Sequence, residues 1–424
     1  MRLLFLYLLF FCFCLSGIEH PSIGIFTCKV NGVGCWDPDS INSGIAGSEE
    51  AVIYLSKHLA DLGYTVTVYG NPPPNSPHSR ESANPRYIDV DTNDEKQFDF
   101  AVAWRMPSLG LTLRQKAAHV YLWPHDTIHY RLPKEQIETF DDVFWLSEWQ
   151  RQQWMAKNPE FSRYRRIFGN GIEPDQFTPI VPRSNPHSLI YGSNYARGLE
   201  ILLDNWPAIK DRFSNATLDI YYGWQHWGLL SPEKEAKMRR QISDYKALSV
   251  VDHERVSHEE LNNAYAHASI WAYPCIAPET FCITALRAQG SGTIPVVIEG
   301  TALSETVRGG FKCSTPKEYL STLFRAMESA EQFTLADRKQ LRTFVFEEYT
   351  WKKIAEKWHS VFQEAYRIDN SANLTFANSK FFFTQSLTLP GRSSLSRSFN
   401  ETSRDFSNEI FSNVVFGILK RTLI

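Results

Sequence analysis

Short apolar segments alternate with longer amphipathic ones along most of this chain. The runs IGIFT from Ile23, TVTVY from Thr65 and FDFAVAW from Phe98 have the length and composition of buried strands. Apolar residues at helical spacing run through 48–63, between the first two of them. Strands that are separated by helices pair in parallel, and helices then cover both faces of the sheet. The alternation therefore predicts an α/β fold with parallel sheets.

A single stretch, TPIVPRSNPH, interrupts this alternation. Its three prolines make it a stiff, non-helical connector. After it the pattern restarts with SLIYG, and the runs LDIYYG, SIWAYP and IPVVIE follow. A chain of 424 residues is also long for one hydrophobic core. We therefore predict two Rossmann-like, doubly wound domains, at 23–178 and 188–348, that are joined by a linker at 179–187 and face each other across a cleft.

The two ends of the chain follow other patterns. An unbroken apolar run at 3–15 is shorter than the roughly 20 residues of a bilayer span, so residues 1–22 are expected to form a signal peptide or a shallow anchor. The protein is accordingly expected in the cytoplasm, with contact to a membrane surface through residues 3–16, or in the secretory pathway if this segment is a signal peptide. At the other end, 349–369 predicts an amphipathic helix, and 370–424 predicts a poorly ordered tail.

The charge of the chain excludes one class of partner. The formal net charge is −3, and acidic and basic residues are mixed along the sequence. Nucleic-acid binding needs a basic face, so no nucleic-acid partner is expected. An anionic ligand would have to be held by a few placed groups rather than by the overall field of the protein.

The loops that follow the strands are where a ligand is expected, because open α/β sheets bind ligands beyond the carboxyl ends of their strands. The loop after IGIFT ends in SGIAGSEE, where Gly44 and Gly47 precede a helix. Glycines there allow a phosphate to approach the helix N-terminus, although they also suit an ordinary turn. The loop after SLIYG carries Arg197 at a helix start, where a cation is unfavourable unless an anion binds across the helix end. A solvated arginine is the alternative.

The loop after SIWAYP holds a carboxylate, Glu279, at the mouth of a helix that is expected to begin near Thr280. Glu279 could be a simple charge at the helix end, or it could accept hydrogen bonds from sugar hydroxyls. The amides of Phe281, Cys282 and Ile283 would be free donors for a pyrophosphate or sugar oxygen. Hydrogen-bond donors and an acceptor therefore meet in one short stretch.

Four segments taken together resemble the retaining glycosyltransferases of the GT-B fold, the group that includes glycogen synthases and phosphatidylinositol mannosyltransferases. In chain order they are GIAGSEEAVIYLSKHLADLGYTVTVYG, NGIEPDQF, RGLEILLDNWP and PETFCITALRAQGSGTIPVV. The resemblance covers most of Ile23 to Tyr366. It implies an N-terminal acceptor domain, a C-terminal nucleotide-sugar domain, a last helix that crosses back to the first domain, and a donor diphosphate held without metal.

The resemblance also assigns roles to single residues. Gly47 matches the glycine that the phosphate approaches, with Ala46 where a second glycine is usual. Arg197 matches the basic residue that holds the diphosphate, and Glu279 matches the first glutamate of the family's Glu–seven residues–Glu motif, which binds the donor hexose. His125, in LWPHDTIH, is the nearest match to a histidine that reaches the donor sugar. Glu279, His125 and Arg197 are therefore the expected catalytic residues.

The sequence departs from that motif at one position. The second glutamate, which binds the ribose, should stand at position 287, and this chain has Arg287. An arginine cannot accept a hydrogen bond from a ribose diol. It could bind a phosphate or pair with Glu279, or activity could be lost. Because 192–194 also lacks the family's earlier arginine, we expect Arg287 to complete a thin phosphate clamp and Arg287→Glu to weaken donor binding.

An alternative with a metal ion exists in the first domain. His125, Asp126 and His129 could form a metal set, with the histidines at i and i+4, but such a pair binds metal only within a helix and a preceding proline disfavours one. The pairs DPD at Asp37 and DVD at Asp89 lie in polar loops and are expected to be solvated charges.

The resemblance implies an enzyme that moves a hexose from a nucleotide-diphosphate sugar to a glycan, lipid-linked or protein acceptor, with retention of anomeric configuration. The nucleotide sugar is a co-substrate, and no other cofactor is expected. The alternative is a sugar-nucleotide or glycan-binding protein of the same fold that has lost turnover through Arg287. A nicotinamide-dependent oxidoreductase is disfavoured, because GVG at 32–34 lacks the third glycine of a dinucleotide loop.

Overall fold

The structure is a computed structural model that describes residues 20–30, 32–224 and 230–385. The N-terminal apolar segment and the part of the predicted tail after 385 lie outside the described residues. Among the described helices, none is both long enough and apolar enough to cross a membrane.

Six parallel strands form the first sheet. They are β1 (Ser22–Phe26), β2 (Thr65–Gly70), β3 (Arg86–Asp89), β4 (Phe98–Trp104), β5 (Ala117–Trp123) and β6 (Asp142–Val143). Their order is β3-β2-β1-β4-β5-β6, and the register places Ile23 between Val66 and Phe100. Because the order reverses direction between β1 and β4, a crevice opens at the carboxyl ends of these two strands.

The second sheet repeats this arrangement. Its strands are β7 (Ser188–Gly192), β8 (Thr217–Tyr221), β9 (Val250–Asp252), β10 (Ile270–Tyr273), β11 (Ile294–Ile298) and β12 (Phe311–Cys313). Their order is β12-β11-β10-β7-β8-β9, so the reversal falls between β7 and β10. The two-domain α/β prediction is thereby confirmed. The prediction missed β3, β9 and β12, which are short edge or near-edge strands without a continuous apolar run.

Helices connect the strands of both sheets. In chain order the described α-helices are α1 (Gly47–Asp61), α2 (Gly110–Leu113), α3 (Lys134–Ile137), α4 (Glu148–Lys157), α5 (Leu199–Arg212), α6 (Pro232–Asp244), α7 (His258–His267), α8 (Ile283–Gly290), α9 (Leu303–Thr306), α10 (Pro316–Ala330), α11 (Leu335–Glu348) and α12 (Trp351–Gln385). α1 follows β1, α5 follows β7, and α8 joins β10 to β11. The N-termini of these three helices therefore lie at the carboxyl ends of strands next to the two crevices.

The first turns of α12 pack on aromatic residues of the first sheet. The ring of Trp358 lies 5.2 Å from that of Trp123 and 4.3 Å from that of Phe144, between ring centroids. Phe362 stacks on Phe100 at 4.5 Å. The C-terminal part of the chain therefore completes the core of the N-terminal domain.

α12 is longer than the sequence predicts. The expected end near residue 369 is wrong for the backbone, which stays helical through Gln385 because neither glycine nor proline interrupts this segment. The chain divides into a unit that ends at Glu364 and holds both sheets, and a second unit that begins at Ala365.

Candidate functional site

A cavity of about 560 Å³ lies between the two domains, at the carboxyl ends of the strands. Gly47 is the first residue of α1 and Ile283 is the first residue of α8. A Cβ atom at Gly47 would lie 3.5 Å from the side chain of Ile283, so the two helix N-termini face each other. The first amides of a helix have no acceptor within it, and that end carries partial positive charge. Both walls of the cavity are therefore suited to negative charge.

Ser48 makes its hydrogen bonds to side chains at the start of α1 and after β4. Helix α1 begins at Gly47, and its N-cap residue, Ala46, offers no side-chain hydrogen bond. Ser48 therefore does not cap the helix. Its hydroxyl accepts a hydrogen bond from Arg105 Nη2 at 2.7 Å and donates to the Glu49 carboxylate at 3.2 Å.

Arg105 is a cation of this cavity that sequence reasoning missed. It directly follows β4, and its backbone is left-handed with φ of 64°. A non-glycine residue costs about 1–3 kcal/mol in that region, and such residues concentrate at functional sites. Its guanidinium stacks on Trp104 at 4.5 Å, and Nε lies 3.4 Å from the Asp126 carboxylate. The available signal was a charged residue immediately after a buried strand.

Glu49 and His125 are buried on the same wall as Arg105. Burial raises the pKa of the Glu49 carboxyl, and Arg105 partly offsets this effect. Burial also lowers the pKa of His125 well below its usual value, so its imidazole is neutral at pH 7. The ring lies 4.5 Å from that of Trp123, and Nε2 has no hydrogen-bond partner within the described ranges. His125 therefore holds a buried ring nitrogen without a described partner in the cavity wall.

Arg197 and Glu279 lie together on the opposite wall. Arg197 Nη1 donates to Glu279 Oε1 at 2.6 Å, and the hydroxyl of Tyr273 donates to the same oxygen at 2.5 Å. The carboxylate holds the pKa of Arg197 above its usual range. Gly198 makes this approach possible, since a Cβ there would lie 2.2 Å from the carbonyl oxygen of Pro274. Two of the residues that the sequence predicts for the donor site thus form one ion pair.

The mouth of α8 differs from its prediction. The helix begins at Ile283 rather than near Thr280, because Thr280 is occupied by the other domain. Its hydroxyl donates to the carbonyl oxygen of His125 at 2.9 Å, and its own carbonyl accepts from the Ser147 hydroxyl at 2.7 Å. Cys282 then takes a left-handed backbone with φ of 72° before the helix starts. All four predicted residues, Thr280, Phe281, Cys282 and Ile283, line the cavity.

Arg287 pairs with a carboxylate of the N-terminal domain rather than with Glu279. Its Nη1 donates to Asn262 Oδ1 at 2.7 Å, and its Nη2 donates to the Glu50 carboxylate at 3.0 and 3.3 Å. Glu50 lies on α1 of the N-terminal domain, so this buried ion pair joins the two domains. A pairing with Glu279, one of the options that the sequence left open, is excluded by geometry, because Glu279 is paired with Arg197.

A second carboxylate also links the domains. Glu305, on α9, accepts hydrogen bonds from the amides of Glu148 and Trp149 at 2.9 and 2.8 Å. These amides are the first two of α4, so a side chain of one domain caps a helix of the other.

The potential metal ligands that the structure brings together are other residues than the disfavoured set of His125, Asp126 and His129. Within the ranges that the structure describes, one group brings three potential ligand atoms within 4.8 Å of one another, namely Asp37, Asp39 and His78. Asp37 is 4% exposed, so the expectation that it is solvated is wrong. It accepts hydrogen bonds from the Ser76 hydroxyl and the Asp39 amide and caps a short 3₁₀-helix. The set of His125, Asp126 and His129 is not brought together in this way.

Comparisons with known proteins establish the fold class. No protein-family model matches the chain, and no curated protein is similar to it in sequence. A sucrose-phosphate synthase from Thermosynechococcus elongatus is similar in structure, with a TM-score of 0.60 and 16% identity over 82% of this chain and 100% of that one. A glycosyltransferase from Rickettsia africae gives a TM-score of 0.63 and 14% identity over 82% and 99% of the two chains. Anabaena HepE, in complex with UDP and glucose, gives 0.59 and 11% over 81% and 100%.

These similarities cover both domains of the described chain and nearly the whole of each solved structure. Two parallel six-stranded sheets with flanking helices are the architecture of the GT-B glycosyltransferases, so the fold prediction is confirmed. Identities this low establish the fold alone.

Proposed function

We propose that this protein transfers a hexose from a nucleotide-diphosphate sugar to an acceptor hydroxyl, with retention of configuration at the anomeric carbon. The observation that carries this proposal is the cavity in which Arg197, Glu279, His125 and two helix N-termini converge. The structurally similar HepE was solved in complex with UDP and glucose, which supports a nucleotide sugar as the donor class here.

The donor diphosphate is bound by Arg197 and the amides at the start of α8. Both carry positive charge at the carboxyl ends of β7 and β10. In this proposal they stabilise the charge that grows on the leaving phosphate, which is the main catalytic task when no protein nucleophile takes part. Transfer then needs no divalent metal ion.

The hexose is bound by Glu279 and His125. Only one oxygen of the Glu279 carboxylate has a described hydrogen-bond donor within 3.5 Å, so the other is available to a sugar hydroxyl. The neutral His125 offers Nε2 from the opposite wall. The acceptor hydroxyl approaches on the same face of the sugar as the leaving phosphate, gives its proton to that phosphate, and takes its place on the anomeric carbon.

The acceptor is expected against the N-terminal wall. Arg105, Asp126 and Glu49 lie there and offer both donors and acceptors to a polyhydroxylated molecule. The acceptor class is a glycan, a lipid-linked sugar or a protein side chain.

The test is a donor screen with UDP-, GDP- and ADP-hexoses in the presence of an acceptor panel. We expect one nucleoside diphosphate to be released in step with a new glycoside, and the anomeric proton coupling of that product to match the donor. Full activity is expected after dialysis against EDTA. Activity that disappears in EDTA and returns with Mn²⁺ would contradict the metal-free part of the proposal.

A binding protein without turnover is the second candidate. It is favoured by Arg287, whose guanidinium takes the place of the expected ribose ligand and is held by Glu50. In that case the same screen shows tight binding of a sugar nucleotide and no release of nucleoside diphosphate with any acceptor.

A further inference from the structure

Glu50 is a buried carboxylate that forms part of the cavity wall. Its side chain is 5% exposed, and it lies in the first turn of α1. Within the described part of the chain, Arg287 Nη2 is its only hydrogen-bond donor, at 3.0 and 3.3 Å from the two oxygens. His258 Nε2 is 3.7 Å away, beyond hydrogen-bonding distance.

A carboxylate has about four acceptor positions. One N–H group shared between two oxygens leaves most of them unfilled, and buried polar groups are normally satisfied. The oxygens of Glu50 therefore have capacity for further donors, and the cavity that they line is the place from which such donors can come.

Arg287 holds this carboxylate in one orientation. Its guanidinium is fixed at the other end by Asn262, which accepts from Nη1 at 2.7 Å. Since an arginine offers only donors, it cannot itself receive a hydroxyl group. The pair therefore presents one acceptor group to the cavity, and that group belongs to Glu50.

We propose that Glu50 accepts hydrogen bonds from two neighbouring hydroxyls of the donor molecule. The two oxygens of a carboxylate match the spacing of a vicinal diol, and an ionised acceptor makes stronger hydrogen bonds than a neutral one. The diol is either that of the ribose or that of the hexose, and the proposed function favours the ribose, because it assigns the hexose to Glu279. This inference rests on the proposed function.

The proposed contact between Glu50 and the diol depends on residues of both domains. Glu50 comes from the N-terminal domain, whereas Arg287 and Asn262 come from α8 and α7 of the C-terminal domain. The diol site is thus complete only while the two domains are in contact.

The experiment compares nucleotides that differ by one hydroxyl. Wild type, Glu50→Gln and the control Glu173→Gln are titrated calorimetrically with UDP, GDP and ADP, with their 2′-deoxy counterparts, and with the matching nucleotide hexoses. Glu173 is a suitable control because it is also a buried carboxylate with a side-chain partner, His58 at 2.6 Å, and does not line the cavity. We expect wild type and Glu173→Gln to prefer the ribonucleotide about tenfold, and Glu50→Gln to lose this preference to within about twofold.

A comparison with nucleotide hexoses tells which sugar supplies the diol, and a double variant controls for misfolding of Glu50→Gln. If Glu50→Gln instead weakens the nucleotide hexose about tenfold and the free nucleotide not at all, the diol belongs to the hexose. The double variant Glu50→Leu/Arg287→Met removes the ion pair without leaving an unpaired buried charge, and it should show the same loss of discrimination as Glu50→Gln.

The inference is overturned if Glu50→Gln and the double variant both keep the wild-type affinity ratios. Those ratios are of ribonucleotide to 2′-deoxynucleotide and of nucleotide hexose to free nucleotide. It is also overturned if wild type binds nucleotides but prefers neither the ribonucleotide over its 2′-deoxy counterpart nor the nucleotide hexose over the free nucleotide. If wild type binds none of the nucleotides or nucleotide hexoses, the proposed function fails together with the inference.

Discussion

Two arginine–glutamate pairs line the cavity, and they differ in where their partners come from. Arg197 and Glu279 belong to one domain and are 28% and 11% exposed. Arg287 and Glu50 come from different domains, and each is 5% exposed. The first pair exists whatever the position of the N-terminal domain. The second exists only when the domains are together. The first pair is thus a ligand site built by one domain, whereas the second is a link between domains whose proposed ligand contact, through Glu50, depends on that link.

Because the two pairs differ in burial, they also differ in how much free energy is lost when one partner is removed. In the first pair Arg197 is partly exposed to the cavity and one oxygen of Glu279 has no described donor, so a ligand can bind there without breaking the pair. A buried pair cannot be broken without leaving one charge uncompensated, although replacing both partners by apolar groups is often neutral. Loss of the Arg197–Glu279 pair is therefore expected to lower activity far more than stability, whereas loss of the Arg287–Glu50 pair is expected to lower stability strongly in addition to its effect on donor binding.

The largest effect is expected from Arg287→Ala. This change leaves Glu50 buried without a partner and should lower the free energy of unfolding by about 3–5 kcal/mol. Chemical unfolding of the single variant and of Glu50→Leu/Arg287→Met measures it, and the double variant should lose far less than the single one. Arg287→Glu should be at least as damaging as Arg287→Ala, since it places two carboxylates together. A loss below about 1 kcal/mol for Arg287→Ala would remove the distinction between the two pairs.

Glu279→Ala, in contrast, should lower turnover strongly and stability little. We expect turnover to fall about 100-fold, because the charged acceptor for the sugar is lost, which corresponds to about 2.7 kcal/mol at 25 °C. The unfolding midpoint should change little, since Arg197 remains partly solvated. Initial rates with the donor that the screen selects measure the effect, with the exposed Glu81→Ala as control. Unchanged turnover in a folded variant would refute the role of Glu279.

The interdomain pair should also be sensitive to acid through His258. Burial lowers the pKa of His258 to about 4 from 6.5, and Glu50, Arg287 and Arg255 face it. Between these two values the unfolded chain binds more protons than the folded one, so stability falls as the pH is lowered from 6.5. The loss should reach about 2 kcal/mol at pH 5.

His258→Gln tests this by thermal unfolding at pH 7, 6 and 5. The variant should lose stability less steeply than wild type, with a residual slope from His125, whose pKa is also lowered. Equal slopes for the two proteins would show that His258 is not the acid-sensitive group.

The smallest effect is expected from Glu305→Ala. It removes the carboxylate that caps α4 from the other domain and should cost about 1 kcal/mol of stability. Glu318→Ala is the matched control, because Glu318 accepts from the amide of Ser314 within its own domain and is exposed. If both variants lose the same stability, the contact between the domains depends on the Arg287–Glu50 pair more than on this cap.

Much of the site was predictable because topology places it. The carboxyl ends of the strands converge whenever two such sheets face each other. Residue type and position in the loop were therefore sufficient to predict that Gly47, Arg197, Glu279 and His125 belong to the site. The start of α8 was not predictable, since Thr280 bonds to the other domain. The partner of Arg287 was not predictable either, because Glu50 is 237 residues away in sequence. Pairing across domains depends on their docking, which local patterns do not encode.

The packing of α12 on the first sheet has a consequence for how the chain is made. During synthesis the N-terminal sheet emerges long before residues 351–362, and until then the rings of Trp123, Phe144 and Phe100 lack their cover. Exposed aromatic surface of this kind promotes aggregation of incomplete chains. The N-terminal domain leaves the ribosome before the C-terminal one, yet it is the later of the two to acquire its complete core. A fragment that ends before Trp351 should therefore be soluble only with a chaperone.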